Sequence, residues 1–492
     1  MEFIRNAVKK VLKIAMIGIP ISCIALNAQY VEDALRYSKP NGYPTARAAA
    51  LGISYLGIVD DVSAMYYNPA GLTLIPKTEF SIGMNFLMNK SETLGFNSTT
   101  EFKSNKENFN NIGIVSPFMY GANQDKRGAI GVAYHLENNF HQDIETAWFN
   151  TKSTFSNYLA VNYPEIAYHV FLSPETSKSE TPVKDSLTQN SSVIQSGGIH
   201  NITGAGSFEV NPNFSIGFSI VGKWGTYQYN RQFKEIDTYH KYEENKPDYS
   251  QLNFNNLEVR EGISQDVSGI GGSLGILGKV GQNVRISAAV KFPTYYEITE
   301  SYSLIVQSNW DSGEKINPYT SPIGSVTYKV RTPFSYNAGL SFYASGLVFT
   351  TGIEYTDASQ LEFSDASLST NTTVDEASAA NIAAVNRLIV KELIGQVTWG
   401  FGAEYSLPMI PVTVRASYTS TTSPYQLDVS GADKKVFAFG GGVSIAKGVR
   451  VDGTARFSKN TEFRTLYGND MNSRYSLTSS PVDLVLNLTV RF

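Results

Sequence analysis

The chain has 492 residues, a formal net charge of -4, 42% hydrophobic, 12% aromatic and 17% charged side chains, and a single Cys. One thiol excludes a disulfide framework and any multi-thiolate metal or iron–sulfur site, the acidic balance argues against nucleic acid, and the lack of long apolar runs after the N-terminus excludes helical membrane spans. What remains is an aromatic-rich β protein, either a sandwich in water or a barrel in lipid. The first predicted element is a secretory signal peptide over residues 1–28: Arg5, Lys9, Lys10 and Lys13 precede the apolar stretch Ile14–Leu26, and Ala28 is a small residue suited to cleavage before Gln29. Cys23 lies within it, and Pro20 stands where a lipoprotein acylation signal wants Leu. Removing this segment leaves 36 basic against 43 acidic residues, net -7. Residues 29–76 follow, claimed by no strand pattern, and Ala46, Ala48, Ala49, Ala50, Gly52, Gly57, Ala64 and Ala70 make them a small-residue segment able to pack inside a narrow lumen.

From residue 77 onward, side chains alternate with the period of two that marks strands. Candidate strands fall near 77–90, 110–120, 128–140, 198–210, 214–231, 263–278, 282–301, 325–342, 347–363, 395–406, 411–422, 435–446, 448–459 and 479–492. Charges keep to one face: Val397, Trp399, Phe401, Ala403 and Tyr405 oppose Gln396, Thr398 and Glu404, and Val412, Val414, Ala416 and Tyr418 oppose Thr413, Arg415 and Ser417. A lipid-facing Arg or Lys near the midplane costs about 2–4 kcal/mol, so a membrane barrel must keep that face clear. A sandwich alternates too, and connection lengths decide between them. Short turns at 407–411 and 446–448 alternate with long polar stretches at 364–395 and 458–478, the asymmetry of an outer-membrane barrel. The last strand places Val482, Leu484, Leu486, Leu488, Val490 and Phe492 on one face, and its terminal aromatic is similar to the C-terminal signal of bacterial outer-membrane barrels. The predicted fold is therefore all-β, a 14-stranded antiparallel transmembrane β-barrel over 77–492 with residues 29–76 as an N-terminal hatch in its lumen.

Within 29–76, the stretch Ala46-Arg-Ala-Ala-Ala-Leu-Gly and the run Asp60-Asp61-Val-Ser-Ala-Met-Tyr-Tyr-Asn68-Pro69-Ala70-Gly71-Leu72 resemble the hatch of the FadL/TodX family of outer-membrane hydrophobic-compound transporters. The segment Val284–Thr294 with its Pro-Thr end, Thr332-Pro333-Phe to Asp357, Phe401–Tyr405 and Val414-Arg415-Ala carry the resemblance further, more weakly. It implies a plugged 14-stranded barrel in the outer membrane of a Gram-negative bacterium, taking up long-chain fatty acids or aromatic hydrocarbons past its hatch, with lateral release where the third strand is interrupted. The expected partners are outer-membrane lipid and a hydrophobic small molecule, with no nucleic acid, no cofactor and no metal, and the barrel is expected to be a monomer.

Three sets of candidate site residues follow. Asn68, Pro69, Ala70 and Gly71 are hatch or gating candidates: Pro69 fixes its own φ and biases Asn68 away from the helical region, while Asn68 can hydrogen-bond the wall. The same turn could be a static anchor. In the third strand Ile130, Val132, Tyr134 and Leu136 are read as outward, with Asn138 next on that face and Glu137 and Asn139 beside it. Such a polar interruption suits a lateral opening, or a strand reaching the headgroup level. In the following loop, Trp148, Phe149, Phe155, Tyr158 and Leu159 form an aromatic surface for substrate capture, or a lid packed on other loops. A helix over 374–394, with a capping box of Thr373 and Glu376, carries the packing stripe Ile382, Val385, Leu388, Ile389 and Leu393.

Enzymatic activity is not expected, because His135, His141, His169, His200 and His240 lie in no HExxH or G-x-S-x-G context. Gly440-Gly441-Gly442 lies within a strand, where glycine makes room for a close neighbour rather than cradling phosphate. A cargo carrier or scaffold of a protein-secretion system is the alternative function, since a related barrel branch also carries an Asn-Pro-Ala in its hatch. A polar porin would lack a hatch. The inward Glu404, Arg415, Arg450, Asp452, Arg456 and Arg491 can pair across strands or with Asp60 and Asp61.

Overall fold

The computed structural model describes residues 26–242, 253–311, 316–321, 324–368, 376–426, 428, 432–468 and 470–492. Fourteen strands close into one antiparallel barrel. In chain order these are β1 Glu79–Gly95, β2 Ser98–Tyr120, β3 Lys126–Asn139 continued by Gln142–Asn150, β4 Leu187–Asn211, β5 Phe214–Ile236, β6 Phe254–Val280 and β7 Val284–Lys291 continued by Tyr295–Trp310. The second half comprises β8 Gly324–Arg331 and Ser335–Ala344, β9 Leu347–Asp357 and Glu362–Leu368, β10 Gly395–Ser406, β11 Val412–Thr421, β12 Lys434–Ala446, β13 Val449–Thr465, and β14 Arg474–Ser479 and Val482–Arg491. Closure comes from β1 against β14, with Glu79 opposite Arg491 and Met84 opposite Leu486.

Proline causes three of the interruptions. Pro293, Pro333 and Pro481 each lack the N–H a ladder needs, and each falls in the gap of its strand. Thr294 and Thr332 bridge the neighbouring gaps in β7 and β8, the Thr332 N–H donating to the Thr294 carbonyl at 3.0 Å and the Thr294 N–H to Thr332 Oγ1 at 2.8 Å. On the short-turn side, Ser345 and Gly346 both take positive φ, 45° and 83°, the primed-turn geometry that matches strand twist.

The outer wall is an apolar belt: Ile130, Ile220, Leu274, Phe349, Phe401, Phe439 and Leu486 are all exposed. Among the described residues no strand edge is left in the lower barrel, which is what makes such a belt compatible with hydrocarbon. No described helix is long and apolar enough to cross a membrane. Instead the helices lie within or above the barrel: α1 Leu26–Ser38, α2 Ala46–Leu51, α3 Ala64–Tyr67, α4 Phe155–Asn162, α5 Pro164–His169 and α6 Glu376–Glu392. Residues 1–25, with Cys23 and most of the predicted signal, lie outside the described residues, as does Thr373 of the predicted capping box. α1 runs across the predicted cleavage point at Ala28–Gln29.

The strands match the predicted positions and extend beyond them at their outer ends. β2 begins at Ser98 rather than near 110, and β4 at Leu187 rather than near 198. Trp148 and Phe149 lie in the outer half of β3, paired with Gln189 and Thr188 of β4, and not in a loop.

Candidate functional site

The lumen is filled by its own N-terminal segment. Ala46, Ala48, Ala49, Ala50, Leu51, Tyr55, Leu56, Ile58, Ala64, Ala70 and Leu72 are fully or almost fully buried, and the small side chains let short helical turns pass close to the wall. The wall yields in the same way. A Cβ on Gly275 would sit 2.0 Å from Asn68 Oδ1, one on Gly352 2.1 Å from the Ile53 carbonyl, and one on Gly440 2.7 Å from Ala50 Cβ. Of the glycine run of β12, Gly440 thus makes room for the plug, while Gly442 makes room for the Asp452 and Arg450 side chains.

Asn68 is the residue that ties the plug turn to this wall. It adopts φ -157°, ψ 102°, the extended conformation required before proline, caps the following turn by accepting from the Ala70 N–H at 3.1 Å, and donates through Nδ2 to the Ile276 and Ala288 carbonyls at 3.0 and 3.1 Å. Pro69 starts that turn, and Gly71 faces Val59, whose carbonyl would lie 1.9 Å from any added Cβ. All four residues are buried.

Below this turn, charges join plug and wall. Arg47 holds Glu404 through two hydrogen bonds of 2.8 and 2.9 Å and also pairs with Asp60, which reaches Arg285 at 3.2 Å. Glu404 and Asp452 share Arg415, and Asp452 pairs with Arg450 at 3.0 Å. The cross-strand pairing anticipated for the inward charges occurs, as at Arg415–Glu404, Arg456–Asp483 and Arg491–Glu79, whereas Asp60 and Asp61 are met not by those residues but by Arg47 of the plug and, at Asp60, by Arg285. Asp61 also accepts from the Tyr55 hydroxyl at 2.8 Å and the Ser63 N–H at 2.8 Å. Burial, and then the Asp61 carboxylate, push the Tyr55 phenol well above its ordinary range, so it stays a donor. Arg47, Asp60, Asp61, Glu404, Arg450 and Asp452 border a polar vestibule of about 620 Å³ at the short-turn end of the barrel.

The wall changes character at β3. Its ladder with β2 runs from Tyr120 opposite Lys126 to Asn111 opposite His135, and among the described residues it ends there. Among the described residues the rest of β2, Ser98–Phe109, forms its ladder with β1 alone, and at its outer end the Ser98 hydroxyl donates to the Ala147 carbonyl of β3 at 3.0 Å. Beyond His135 the third strand bends inward, so Leu136 and Asn138, expected on the outer face, are buried at 6% and 3% exposure. A register shift against β4 between Leu136 and Asn138 marks the bend. The plug supplies the lost pairing. Asn41 and Gly42 donate backbone N–H groups to the Glu137 carbonyl at 3.2 and 2.7 Å, and the Asn139 N–H donates to Asn41 Oδ1 at 2.9 Å. Asn138 Nδ2 donates to the Arg36 carbonyl at 3.1 Å. Gly42 must be glycine here, because a Cβ would lie 2.1 Å from the Leu136 carbonyl.

Inside the bend, Glu137 pairs with Lys223 at 2.8 Å and His135 meets Asn201 at 3.1 Å. A cavity of about 300 Å³, lined by Tyr43, Leu87, Leu136, Phe140, Lys434 and Arg456 among others, adjoins the interruption. The predicted opening residues Glu137, Asn138 and Asn139 therefore sit together where the wall pairing ends, and next to the plug.

The capture candidates are placed differently. Trp148, Phe155 and Leu159 are buried, at 4%, 1% and 0% exposure, in a cluster with Phe233, Phe254 and Trp310 at the outer end of the barrel. Tyr158 packs on that cluster, and Phe149 meets Tyr239 edge-on at 4.9 Å. Except for the half-buried Phe149, they form the packed interior of a cap instead of an exposed patch, because α4 turns its apolar face down, beginning at Thr154, whose side chain caps the Asn157 N–H. Glu235 holds that end by accepting from the Ser156 N–H and hydroxyl, each at 3.0 Å.

No family model matches the chain, and no curated protein does. Solved structures do. A Pseudomonas aeruginosa FadL homologue aligns over 92% of this chain and 99% of its own, with a TM-score of 0.56 at 13% identity. The Pseudomonas putida toluene transporter TodX aligns over 92% and 99%, with a TM-score of 0.55 at 14% identity. The chain has the FadL/TodX fold. The Ralstonia pickettii toluene transporter TbuX shares it at a TM-score of 0.51 and 14% identity, over 92% of this chain and 98% of its own. With identity this low, the FadL/TodX fold accounts for the barrel and the filled lumen, and the chemistry rests on the residues above.

Proposed function

We propose that the protein is an outer-membrane channel of a Gram-negative bacterium for the uptake of hydrophobic compounds, long-chain fatty acids or aromatic hydrocarbons, released sideways through the wall at β3. Residues 1–28 act as its export signal, residues 29–76 as its hatch, and it works as a monomer in outer-membrane lipid. The observation that carries this reading is the end of the β2–β3 ladder at His135, in a barrel whose lower part is closed among the described residues, at the place where plug residues Asn41 and Gly42 take over the pairing.

A lipophile gains about 25 cal/mol for each Å² of apolar surface it removes from water, so entry into an apolar cap is favourable and release is the difficult step. A polar vestibule below the plug suits no hydrophobic exit, whereas a gap facing hydrocarbon does. Movement of residues 36–42 would free Glu137, Asn138 and Asn139 together, and the Asn68–Gly71 turn would hold the rest of the hatch.

Cells with and without the protein are compared for uptake of a labelled long-chain fatty acid and of labelled toluene. Expression should raise uptake of at least one of them, and deletion of residues 41–72 should abolish the gain or replace it with nonspecific leakage. No effect of expression on either compound would refute the proposal.

A further inference from the structure

The end of α1 presents a phenol to the barrel wall. Tyr37 is buried, its ring edge-on to Phe140 at 6.0 Å and tilted against Tyr296 at 5.7 Å. Phe140 in turn meets Tyr227 edge-on at 5.4 Å. The Tyr37 hydroxyl donates to Gln265 Oε1. That amide is oriented by the wall: Gln265 Nε2 donates to Glu300 Oε2 at 2.7 Å and to the Tyr328 hydroxyl at 3.1 Å, and Tyr328 donates to the same Glu300 oxygen at 3.1 Å. With both functions of Nε2 directed into the wall, Oε1 is aimed at the lumen as an acceptor. Gln265, Tyr227, Tyr296 and Tyr328 are all buried.

The wall thus forms an aromatic box with one fixed acceptor at its end, and a side chain equivalent to 4-methylphenol fills it. Phe140 belongs to the two-residue gap in β3, so the box borders the interruption in the wall. A cavity of about 90 Å³ touches Tyr37 from the side of Tyr66, Lys223 and Lys291, so the box is not sealed. A buried acceptor left without a donor is costly, so a site of this type discriminates against an analogue that lacks the hydroxyl.

We propose that this box binds para-substituted phenols, and that Tyr37 of the plug occupies it until such a phenol displaces the side chain. The inference rests on the uptake reading for its physiological sense, but the site itself is tested without it. Its occupant is tethered, so displacement couples binding to release of Arg36 and Asn41 from the β3 bend.

Binding of 4-methylphenol and of p-xylene, similar in shape but without the hydroxyl, is measured by calorimetry on the purified full-length protein and on Tyr37→Ala, Tyr37→Phe and Tyr37→Ala/Gln265→Leu. Tyr37→Ala should bind 4-methylphenol about tenfold more tightly than the unsubstituted protein does, and about tenfold more tightly than it binds p-xylene. Tyr37→Phe, which keeps the ring packing, should gain affinity for 4-methylphenol in the same direction. Adding Gln265→Leu should bring the ratio of the two probes close to one. Equal affinity for both probes in Tyr37→Ala and Tyr37→Phe, or a ratio unmoved by Gln265→Leu, overturns the proposal. If p-xylene enters expressing cells and no variant prefers the phenol, the box is wrong and the uptake reading stands; if Tyr37→Ala prefers the phenol and neither probe enters cells, the box stands and the uptake reading fails.

Discussion

At the scale of single residues, the plug is held by a few side chains whose removal has unequal consequences. Asn68 supplies one cap and two wall hydrogen bonds at once. Its replacement in Asn68→Ala should cost on the order of 2 kcal/mol, felt locally as faster hydrogen exchange over residues 64–75 with the strands unchanged. Unchanged exchange there would mean that the turn is held by packing alone. Arg415 is different, because its side chain is only 1% exposed and bridges Glu404 and Asp452. Arg415→Met would leave two buried carboxylates with fewer partners, and breaking such a bridge typically costs about 3–5 kcal/mol. A large fall in the denaturation midpoint is expected, and adding Glu404→Gln and Asp452→Asn should recover part of it. The link that patterning missed is Arg47: in sequence it stands as one cation in an alanine run, and only the fold brings it to Glu404.

At the scale of elements, the sequence shows most clearly what the hydrocarbon constrains. Each strand has to keep one face apolar where it meets lipid, so period-two alternation marks all the strands, and β14 most plainly. The outer half of β2 escapes because that constraint has lapsed there: Glu101, Lys103, Lys106 and Glu107 are exposed, and Phe102 is the one apolar side chain between residues 98 and 108. Trp148 and Phe149 mislead for a related reason, since an aromatic pair past a polar interruption looks like a loop when its partner strand cannot be seen. The bend in β3 is legible only as Asn138 intruding on an apolar row, while its cause lies 97 positions away in Asn41. Coupling between these two elements makes Gly42 the informative position. Gly42→Val should push residues 41–42 off the Glu137 carbonyl and increase proteolysis or exchange over both 36–43 and 136–141. Mobility confined to the plug segment would show that the β3 bend is fixed by the wall itself.

At the scale of the whole molecule, stability and transport depend on the barrel having two different surroundings, hydrocarbon outside and a packed polypeptide inside. Leu486 tests the first. It faces outward at 51% exposure, beside Phe86, Phe439 and Leu484 around the outward-facing Gly441 and Gly453. Among the described residues no charged side chain borders that face, so Leu486→Arg in vesicles should lower stability by about 2–4 kcal/mol. Leu486→Ala removes contacts without adding charge and should cost clearly less, because a side chain half exposed to lipid loses little packing when shortened. Urea titration of both variants in the same vesicles separates desolvation from packing. Similar costs for Arg and Ala would mean that this face meets water, and a wall wetted there could not serve as the apolar side of a lateral exit.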